Sequence, residues 1–401
     1  MNILKLISDI EANIYEIYKV IHENPELGME EYETSRLIRK ELSEQDDCDE
    51  ILSIGKTGLV AVLKGEKEGT KHCLLLRGDM DALPVNEDQD HYPKSKNAGV
   101  MHACGHDAHT AILLGTLRTM KRYKAYFSGT IYFFFQPAEE ILKGAKSLFL
   151  SKEIDFDTIE GVAACHVMPD LYAGDIGLKT GTTLASADHF DVTVLGKGGH
   201  GAHPYTTIDP VVIASDIIIQ LQNLVAREVS AFDSAVISVC SIHSDGDTYN
   251  VIPDRVRLKG TLRALTKETR ERLSARIVDV CSKVAQAGRA EADVRFEEGP
   301  PPFRNDDLWV ERTKRMADRL LGEDHVKMLD IVTMGAEDFA FIKDRYPGVF
   351  VRIGCRSEGK EFTPIHSSRF TVDRKALSVG IKTMCGIALD FFEIEKDVYG
   401  I

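Results

Sequence analysis

Apolar residues near the start of the chain recur at steps of three and four positions, beginning at Leu6 and passing through Ile14 to Ile21. This period places them along one face of a helix, so the pattern predicts an amphipathic helix. Asn24-Pro25 ends it, because the residue before a proline is pushed out of the helical backbone region.

Short apolar runs then alternate with helical stretches, and the runs are rich in β-branched and aromatic residues. Strands are predicted at Gly58–Leu63, Cys73–Leu76, Ile131–Phe135, Gly161–Cys165 and Val349–Ile353. Helices are predicted over Ala108–Arg122, Lys143–Leu150, 306–321 and 373–394. Strands that are apolar on both faces are buried between layers of helices, so this pattern indicates an α/β fold with a covered sheet.

The pattern changes between residues 183 and 295. The order of predicted elements is strand 188–195, helix 209–227, strand 234–243, strand 254–263, helix 267–287 and strand 291–297. This β-α-β-β-α-β order is typical of ferredoxin-like domains. We therefore expect a two-domain α/β protein, in which 1–182 and 296–401 form one domain and 183–295 form an inserted ferredoxin-like domain.

Charge and cysteine content narrow the class of protein. The 401 residues carry 49 Lys and Arg against 63 Asp and Glu, a formal net charge of −14. An acidic surface repels phosphate backbones and anionic lipids, so we expect no nucleic-acid and no membrane partner. The chain start does not resemble a signal peptide, and no apolar run approaches the roughly 18 residues that span a bilayer. Eight irregularly spaced cysteines do not form a disulfide framework, which favours a reducing, cytoplasmic location.

Metal-type side chains are concentrated where the predicted strands end. Cys104 and His106 lie two positions apart around a glycine, and such a pair can share a metal ion. Taken alone, the pair is more often an ordinary buried cysteine beside a structural histidine. Loops at the carboxyl ends of strands are nevertheless where open α/β sheets place their sites.

Two adjacent carboxylates, Glu139 and Glu140, follow the strand at Ile131–Phe135. Neighbouring side chains on an extended segment point apart, so one carboxylate can bind a metal while the other faces a reacting water. The alternative is the solvated start of a helix, where the helix dipole favours acidic residues.

Three further strand ends carry candidate residues. His166 and His366 each follow a predicted strand, and each alone is more often structural than a metal ligand. Asp79 and Asp81 follow another strand, where they suit the orientation of a histidine but also suit a simple turn. The repetition at several strand ends of one domain favours a metal site.

The inserted domain has its own polar residues. His200 lies in the glycine-rich stretch 196–204, Asn250 precedes Val251, and Arg263 ends a predicted strand. An arginine binds a carboxylate through two parallel hydrogen bonds, so Arg263 is a candidate for a substrate carboxylate. A surface salt bridge is the alternative for this residue.

Together these segments resemble the M20 metallopeptidase superfamily, and specifically its amidohydrolase branch of aminoacylase-like enzymes, hippurate hydrolases and auxin-conjugate hydrolases. The matching stretches, in chain order, are LRGDMDALP (76–84), MHACGHDAHT (101–110), FQPAEE (135–140), HVMP (166–169), GKGGHGAHP (196–204), NVIPD (250–254), GTLR (260–263), MGAEDFA (334–340) and HSSRF (366–370). These nine stretches follow one another in order from the first third of the chain to its C-terminal part, so the resemblance extends over essentially the whole chain.

The resemblance implies a site with two divalent metal ions, of Zn, Mn, Co or Ni. It implies that Cys104 bridges the ions, and that their other ligands are His106, Glu140, His166 and His366. Glu139 would be the general acid and base. On the inserted domain, which would serve as lid and dimer interface, the substrate would be held by His200, Asn250 and Arg263. His200 would be able to reach the active site of the partner in a homodimer.

The implied activity is hydrolysis of the amide bond of N-acyl amino acids by a metal-activated water. A metallodipeptidase or carboxypeptidase of the same superfamily is the alternative enzyme, since the same metal centre would serve it. A non-catalytic metal-binding regulatory protein is a third interpretation. Such a protein would be expected to have lost Glu139 or a metal ligand, whereas every one of these positions is filled here.

Overall fold

The computed structural model describes residues 1–88, 90 and 92–400. They form two compact units. The first contains Met1–Gly181, Asn305–Ile331 and the chain from Phe341 onwards, and the second contains Thr182–Arg304 and Val332–Ala340. Within the described residues, none of the helices has the length and apolar character that a bilayer crossing requires.

The strands, numbered in chain order, are β1 Glu50–Ile54, β2 Gly58–Lys64, β3 His72–Asp79, β4 Gly129–Gln136, β5 Ile159–Tyr172, β6 Ile176–Leu178, β7 Gly181–Leu184, β8 Asp188–Leu195, β9 Gly199–His200, β10 Ala235–Ser244, β11 Val251–Ile252, β12 Arg255–Ala264, β13 Glu291–Glu297, β14 Phe303–Asn305, β15 Val326–Met328 and β16 Gly348–Arg356. The helices are α1 Ile3–Glu23, α2 Tyr32–Glu44, α3 His106–Lys121, α4 Gly144–Leu148, α5 Pro210–Asn223, α6 Lys267–Ala287, α7 Asp307–Leu321, α8 Ala340–Lys343, α9 Lys375–Phe391 and α10 Lys396–Tyr399.

The first unit is built on an eight-stranded mixed sheet in the order β1-β2-β4-β3-β5-β16-β6-β15. Its centre is parallel, because β3 pairs in parallel with β4 and β5, and β5 pairs in parallel with β16. Helices α1, α3 and α9 contact one another, and their side chains share one apolar core with the sheet. A Cβ at Gly115 would clash with Ile381, so this glycine allows α3 and α9 to pack closely.

The second unit contains a four-stranded antiparallel sheet in the order β10-β12-β8-β13. Residues of β8 and β12 alternate between buried and accessible positions, which is the period expected of a sheet covered on one face. The buried side chains pack with α5 and α6, for example Val192 with Ile217 and Leu273 in one core. A short ribbon of β9 and β11 belongs to the same unit.

The predicted α/β class with a ferredoxin-like insert is confirmed, and the differences are local. The sequence pattern missed α2 and β1. The helix expected over Lys143–Leu150 is only the short α4, and the helix expected over 209–227 leaves α-helical geometry after Asn223. The second unit extends beyond 183–295 to include 296–304 and 332–340, and the domain limits inferred from sequence stay a prediction.

Candidate active site

The site residues of the first unit lie where the central strands end and α3 begins. Gly105 precedes α3 with a φ of +87°, a backbone conformation that favours glycine, and a Cβ there would clash with Val167. This turn presents Cys104 and His106 on either side of the glycine. Asp79 ends β3, and Glu139 follows the end of β4, so parallel strands bring these side chains to one edge of the sheet.

Cys104, His106 and His166 form one group of possible metal donors, whose donor atoms all lie within 4.8 Å of one another. The Sγ atom of Cys104 is 3.3 Å from Nε2 of His166. Nδ1 of His166 donates to the carbonyl oxygen of Val167 at 2.8 Å, which leaves Nε2 free of a proton. Burial, assisted by the neighbouring His109, holds the pKa of His166 well below its usual value, so the ring is neutral and suited to binding a metal.

Cys104, Glu140 and His366 form a second group with donor atoms within the same 4.8 Å limit. Nε2 of His366 lies 3.4 Å from Oε1 of Glu140. His366 has a φ of +64°, and its backbone N–H donates to the carbonyl oxygen of Ala103 at 2.7 Å. Cys104 therefore belongs to both groups, which is the arrangement that a bridging ligand between two metal ions requires.

The donor atoms fit such ions chemically. Within the described part of the chain, Nε2 of His106 and Oε1 of Glu140 are buried without a hydrogen-bond partner, and the two atoms are 3.8 Å apart. Buried polar atoms are normally satisfied, so two unsatisfied donor atoms that face each other fit a bound cation. Thiolate, imidazole and carboxylate donors together suit zinc, cobalt, nickel or manganese better than magnesium.

Asp81 fixes several of these groups at once. Its Oδ1 accepts from Nδ1 of His106 at 3.1 Å and from the backbone N–H of Glu139 at 3.0 Å, while its Oδ2 accepts from the N–H of Glu140 at 3.0 Å. Burial alone would lower the pKa of His106, but Asp79 and Asp81 raise it to about 10. The imidazole therefore sits in a strongly anionic environment that favours a bound cation.

Asp79 contacts a different histidine. Its Oδ1 accepts from Nδ1 of His109 at 2.6 Å, and Nη1 of Arg77 is 2.5 Å from its Oδ2. Although burial works against ionisation, Arg77 and the nearby histidines hold the pKa of Asp79 well below its usual range. Nε2 of His109 accepts the backbone N–H of Val167 at 2.8 Å. Both nitrogens of His109 are thus engaged, so His109 positions the backbone rather than supplying a metal donor.

Glu139 is only 7% exposed, and a carboxylate oxygen of it lies within 4.8 Å of donor atoms of His106 and Glu140. The residue before it, Ala138, has a φ of +55°, which is unusual for a residue with a Cβ. This left-handed conformation turns the chain after β4 so that two successive carboxylates reach the same small volume.

Glu31 supports the backbone beside the candidate site, and the sequence pattern did not identify it. It is fully buried, and its Oε1 accepts the backbone N–H of Ala138 at 2.8 Å and that of Met29 at 3.0 Å. Its Oε2 accepts the hydroxyl of Thr57 at 2.6 Å. In the sequence, the acidic pair at 30–31 resembles the solvated start of a helix, and no local signal distinguishes it from one.

The three substrate-binding candidates lie in the second unit. His200 is exposed on β9, which pairs with β11, and the carbonyl oxygen of Asn250 accepts the N–H of Gly201 at 2.8 Å. Arg263 is half-buried on β12, and its Nε donates to the hydroxyl of Thr261 at 3.2 Å. Among the described residues, no carboxylate lies within ion-pair distance of Arg263, and burial lowers the pKa of its guanidinium.

Residues 75–390 match the model of peptidase family M20/M25/M40. The chain belongs to this family. It is 37% identical to the N-acetylcysteine deacetylase of Bacillus subtilis over 94% of this chain and 96% of the relative. It is also 37% identical to IAA-amino acid hydrolase ILR1-like 2 of Arabidopsis thaliana, over 94% of this chain and 84% of the relative.

A solved structure of an M20-family protein is also similar to this chain. The YXEP protein of Bacillus subtilis, described as a dinuclear metal binding peptidase from the M20 family, aligns with a TM-score of 0.82 and 32% identity, covering 97% of this chain and 100% of that one. The predicted resemblance is therefore confirmed, and family membership identifies the chain as a metal-dependent amidohydrolase.

Proposed function

We propose that the chain hydrolyses the amide bond of N-acyl amino acids with two divalent metal ions, of zinc, manganese, cobalt or nickel. The observation that carries this proposal is the sharing of Cys104 by two donor groups, with Glu139 beside them. The names of the two relatives, a deacetylase and a hydrolase of amino-acid conjugates, support the same substrate class.

When bound, the two ions supply a water of lowered pKa, so that hydroxide is available near neutral pH. Glu139 accepts the proton of this water as its oxygen attacks the amide carbonyl. Glu139 then delivers the proton to the departing nitrogen, which leaves as an amine rather than as an anion. Asp81 holds the backbone of Glu139 in place during both transfers. His200 stabilises the oxyanion of the tetrahedral intermediate.

The surroundings of Arg263 support the proposal that the substrate has a free carboxylate. A half-buried guanidinium without a carboxylate partner in the described chain leaves its two terminal NH₂ groups for a ligand. A carboxylate accepts two parallel hydrogen bonds from such a fork, which would fix the orientation of the amino-acid half of the substrate. Asn250 belongs to the same proposed contact surface of the inserted domain, which we propose to act as a lid.

We also propose that the protein works as a homodimer joined through the inserted domain. Three apolar side chains of α5 are not buried within their own unit: Val211, Val212 and Ile219 are 40%, 58% and 60% exposed. Strand β10 is an edge of its sheet, and Ile242 on it is 52% exposed. Exposed edges of sheets are normally paired or covered. The eight unpaired cysteines favour a reducing compartment such as the cytoplasm.

A hydrolysis screen tests the function. Purified protein supplied with Mn²⁺, Co²⁺, Ni²⁺ or Zn²⁺ is incubated with N-acetyl, N-benzoyl and indole-acetyl amino acids, with their α-carboxamides, and with dipeptides. Turnover of the acyl amino acids, reduced for the α-carboxamides, is the expected result. Turnover of dipeptides alone would favour the dipeptidase interpretation, because a free ammonium group needs an anionic contact in place of an apolar acyl pocket.

A further inference from the structure

One buried cation of the first unit has no anionic partner within ion-pair distance in the described part of the chain. Among the described residues, four Lys or Arg side chains are buried, and three of them contact a carboxylate. The pairs are Arg77 with Asp79, Arg118 with Asp47 and Lys343 with Asp306, at nitrogen–oxygen distances of 2.5, 2.7 and 2.6 Å. The fourth, Arg352, is 9% exposed and has no hydrogen bond or ion pair within the described chain.

Arg352 lies next to the metal-donor groups. It is on β16, in register with His166 on the parallel neighbour β5. Paired residues of adjacent strands are about 4.8 Å apart and project from the same face. Phe350, two residues before Arg352, shows that this face is shared, because its ring centroid is 6.2 Å from that of His166.

Burial of a guanidinium removes much of its hydration, and within the described chain neither a carboxylate nor a hydrogen bond offsets this loss for Arg352. Asp170 influences Arg352 electrostatically but lies beyond ion-pair distance, and burial still lowers the pKa of the arginine. The other three buried cations show how this fold satisfies such groups. A ligand anion would satisfy Arg352 in the same way.

We infer that Arg352 forms a subsite for a second carboxylate of the substrate, separate from the α-carboxylate assigned to Arg263. This inference rests on the proposed function and narrows the substrate to acyl amino acids with two acidic groups. The second carboxylate belongs either to an aspartyl or glutamyl side chain or to a dicarboxylic acyl group such as succinyl. Both present the planar anion that a guanidinium binds through two hydrogen bonds.

Steady-state kinetics with three substrates tests the subsite: N-acetylglutamate, N-succinylleucine and neutral N-acetylleucine. We expect the wild type to favour one of the two acidic substrates, which identifies the half that carries the carboxylate. Arg352→Leu should lower kcat/KM for that substrate about 10- to 100-fold, the range expected for hydrogen bonds to a charged group, and leave N-acetylleucine unchanged. Arg352→Lys should restore part of the loss. Arg315→Leu, at an exposed position of α7, is the matched control.

Stability gives an independent readout. Because the side chain of Arg352 has no hydrogen bond or ion pair with the described residues, Arg352→Leu should melt at the same temperature as the wild type or higher. An arginine with a structural role would lower the melting temperature when replaced. Equal losses for acidic and neutral substrates, or a lower melting temperature with unchanged substrate preference, would overturn the inference.

Binding of glutarate separates this inference from the proposed function. If the wild type hydrolyses neither these three substrates nor any acyl amino acid of the hydrolysis screen, the proposed function fails, and calorimetry with glutarate then tests the subsite alone. Glutarate bound by the wild type and by Arg315→Leu, but not by Arg352→Leu, would support the subsite. Equal affinity for all three proteins, or no binding to any, would contradict it.

Discussion

The carboxylate of Glu31 accepts the backbone N–H of Ala138 at 2.8 Å, although 107 positions separate the two residues along the chain. Ala138 has a positive φ and directly precedes Glu139, so this hydrogen bond holds the turn that presents the proposed general base. A segment near the start of the chain thus positions the residue that we propose as the general base.

Replacing Glu31 should therefore reduce catalysis from a distance. Glu31→Ala leaves two backbone N–H groups and the hydroxyl of Thr57 without their acceptor, and each unsatisfied buried group costs about 1–3 kcal/mol. Since small displacements of catalytic groups lower rates strongly, we expect kcat to fall about 10- to 100-fold with a smaller change in KM.

Two further variants make the test specific to this hydrogen bond. Glu31→Gln should recover most of the activity, because its amide oxygen accepts both N–H groups and its NH₂ donates to Thr57. Glu30→Ala changes the exposed neighbour and should behave like the wild type. Equal losses in Glu31→Gln and Glu31→Ala would show that the carboxylate does something other than hold this turn.

Substitutions of Glu139 and Glu140 should have different effects on catalysis and on metal binding. Glu139→Gln should retain both ions but lower kcat about 10²- to 10⁴-fold, because an amide cannot accept and return a proton. Glu140→Gln should lose metal, since its carboxylate belongs to the donor group with Cys104 and His366. Metal content by mass spectrometry after dialysis, measured beside kcat, distinguishes the two. A Glu139→Gln protein that turns over normally would remove Glu139 from the mechanism.

Much of the donor arrangement could be predicted because its signals are local. Glu139 and His166 each follow or end an apolar stretch rich in β-branched or aromatic residues, which predicts a buried strand, and parallel strands bring their ends to one edge. The helix α2 was missed because it is polar overall, and only Thr34, Ile38 and Leu42 of it are buried. Its weak apolar period gave no usable signal.

The supporting contacts could not be predicted, because they depend on strand register and on segments far apart in sequence. For Arg352, the sequence gives one signal, whereas its position relative to His166 depends on the strand register. A charged residue within the predicted apolar strand Val349–Ile353 conflicts with its surroundings, and such conflicts concentrate at functional positions. Only the register of β16 on β5, however, places this residue opposite His166.

The proposed bridging role of Cys104 can be tested against another cysteine. Cys104→Ala removes the one donor common to both groups, so we expect the loss of both ions together with activity. Cys240→Ala, an equal change at an exposed position, should keep its metal and its turnover. A Cys104→Ala protein that remains fully metallated and active would show that the thiol is only part of the core.

His22 should make stability depend on pH. Its ring nitrogens are 2.6 Å from Oδ2 of Asp107 and 2.9 Å from Oε1 of Glu87, and the rings of Tyr18 and His102 pack nearby. Burial alone would lower the pKa of His22, but the two carboxylates raise it to about 9. The ion pairs therefore stabilise the fold fully below about pH 6.5, and this contribution of about 3 kcal/mol disappears as the pH rises through 9.

Urea unfolding of the wild type and of His22→Gln at pH 6.5 and pH 9.5 measures this contribution. The free energies of unfolding should differ most at pH 6.5 and converge at pH 9.5. His325→Gln is the control. Nδ1 of His325 likewise lies close to a carboxylate, at 2.8 Å from Oδ1 of Asp175, but its side chain is half exposed. Solvent weakens an ion pair at such a position, so this variant should show a much smaller effect. A difference between wild type and His22→Gln that does not change with pH would mean that His22 is neutral in the folded protein.

Subunit mixing decides whether His200 acts in its own subunit or in the partner. Glu139→Gln and His200→Ala homodimers should each be nearly inactive, because each lacks one required group in every site. In a mixed dimer, action of His200 in the partner's site would combine an intact Glu139 of one subunit with an intact His200 of the other. Random exchange at equal concentrations would then restore about a quarter of wild-type activity, since half of the dimers are mixed and each has one complete site.

Exchange is verified with differently tagged subunits. If activity stays absent after proven exchange, His200 serves its own subunit; if no dimer forms, the exposed apolar residues of α5 do not form a subunit interface.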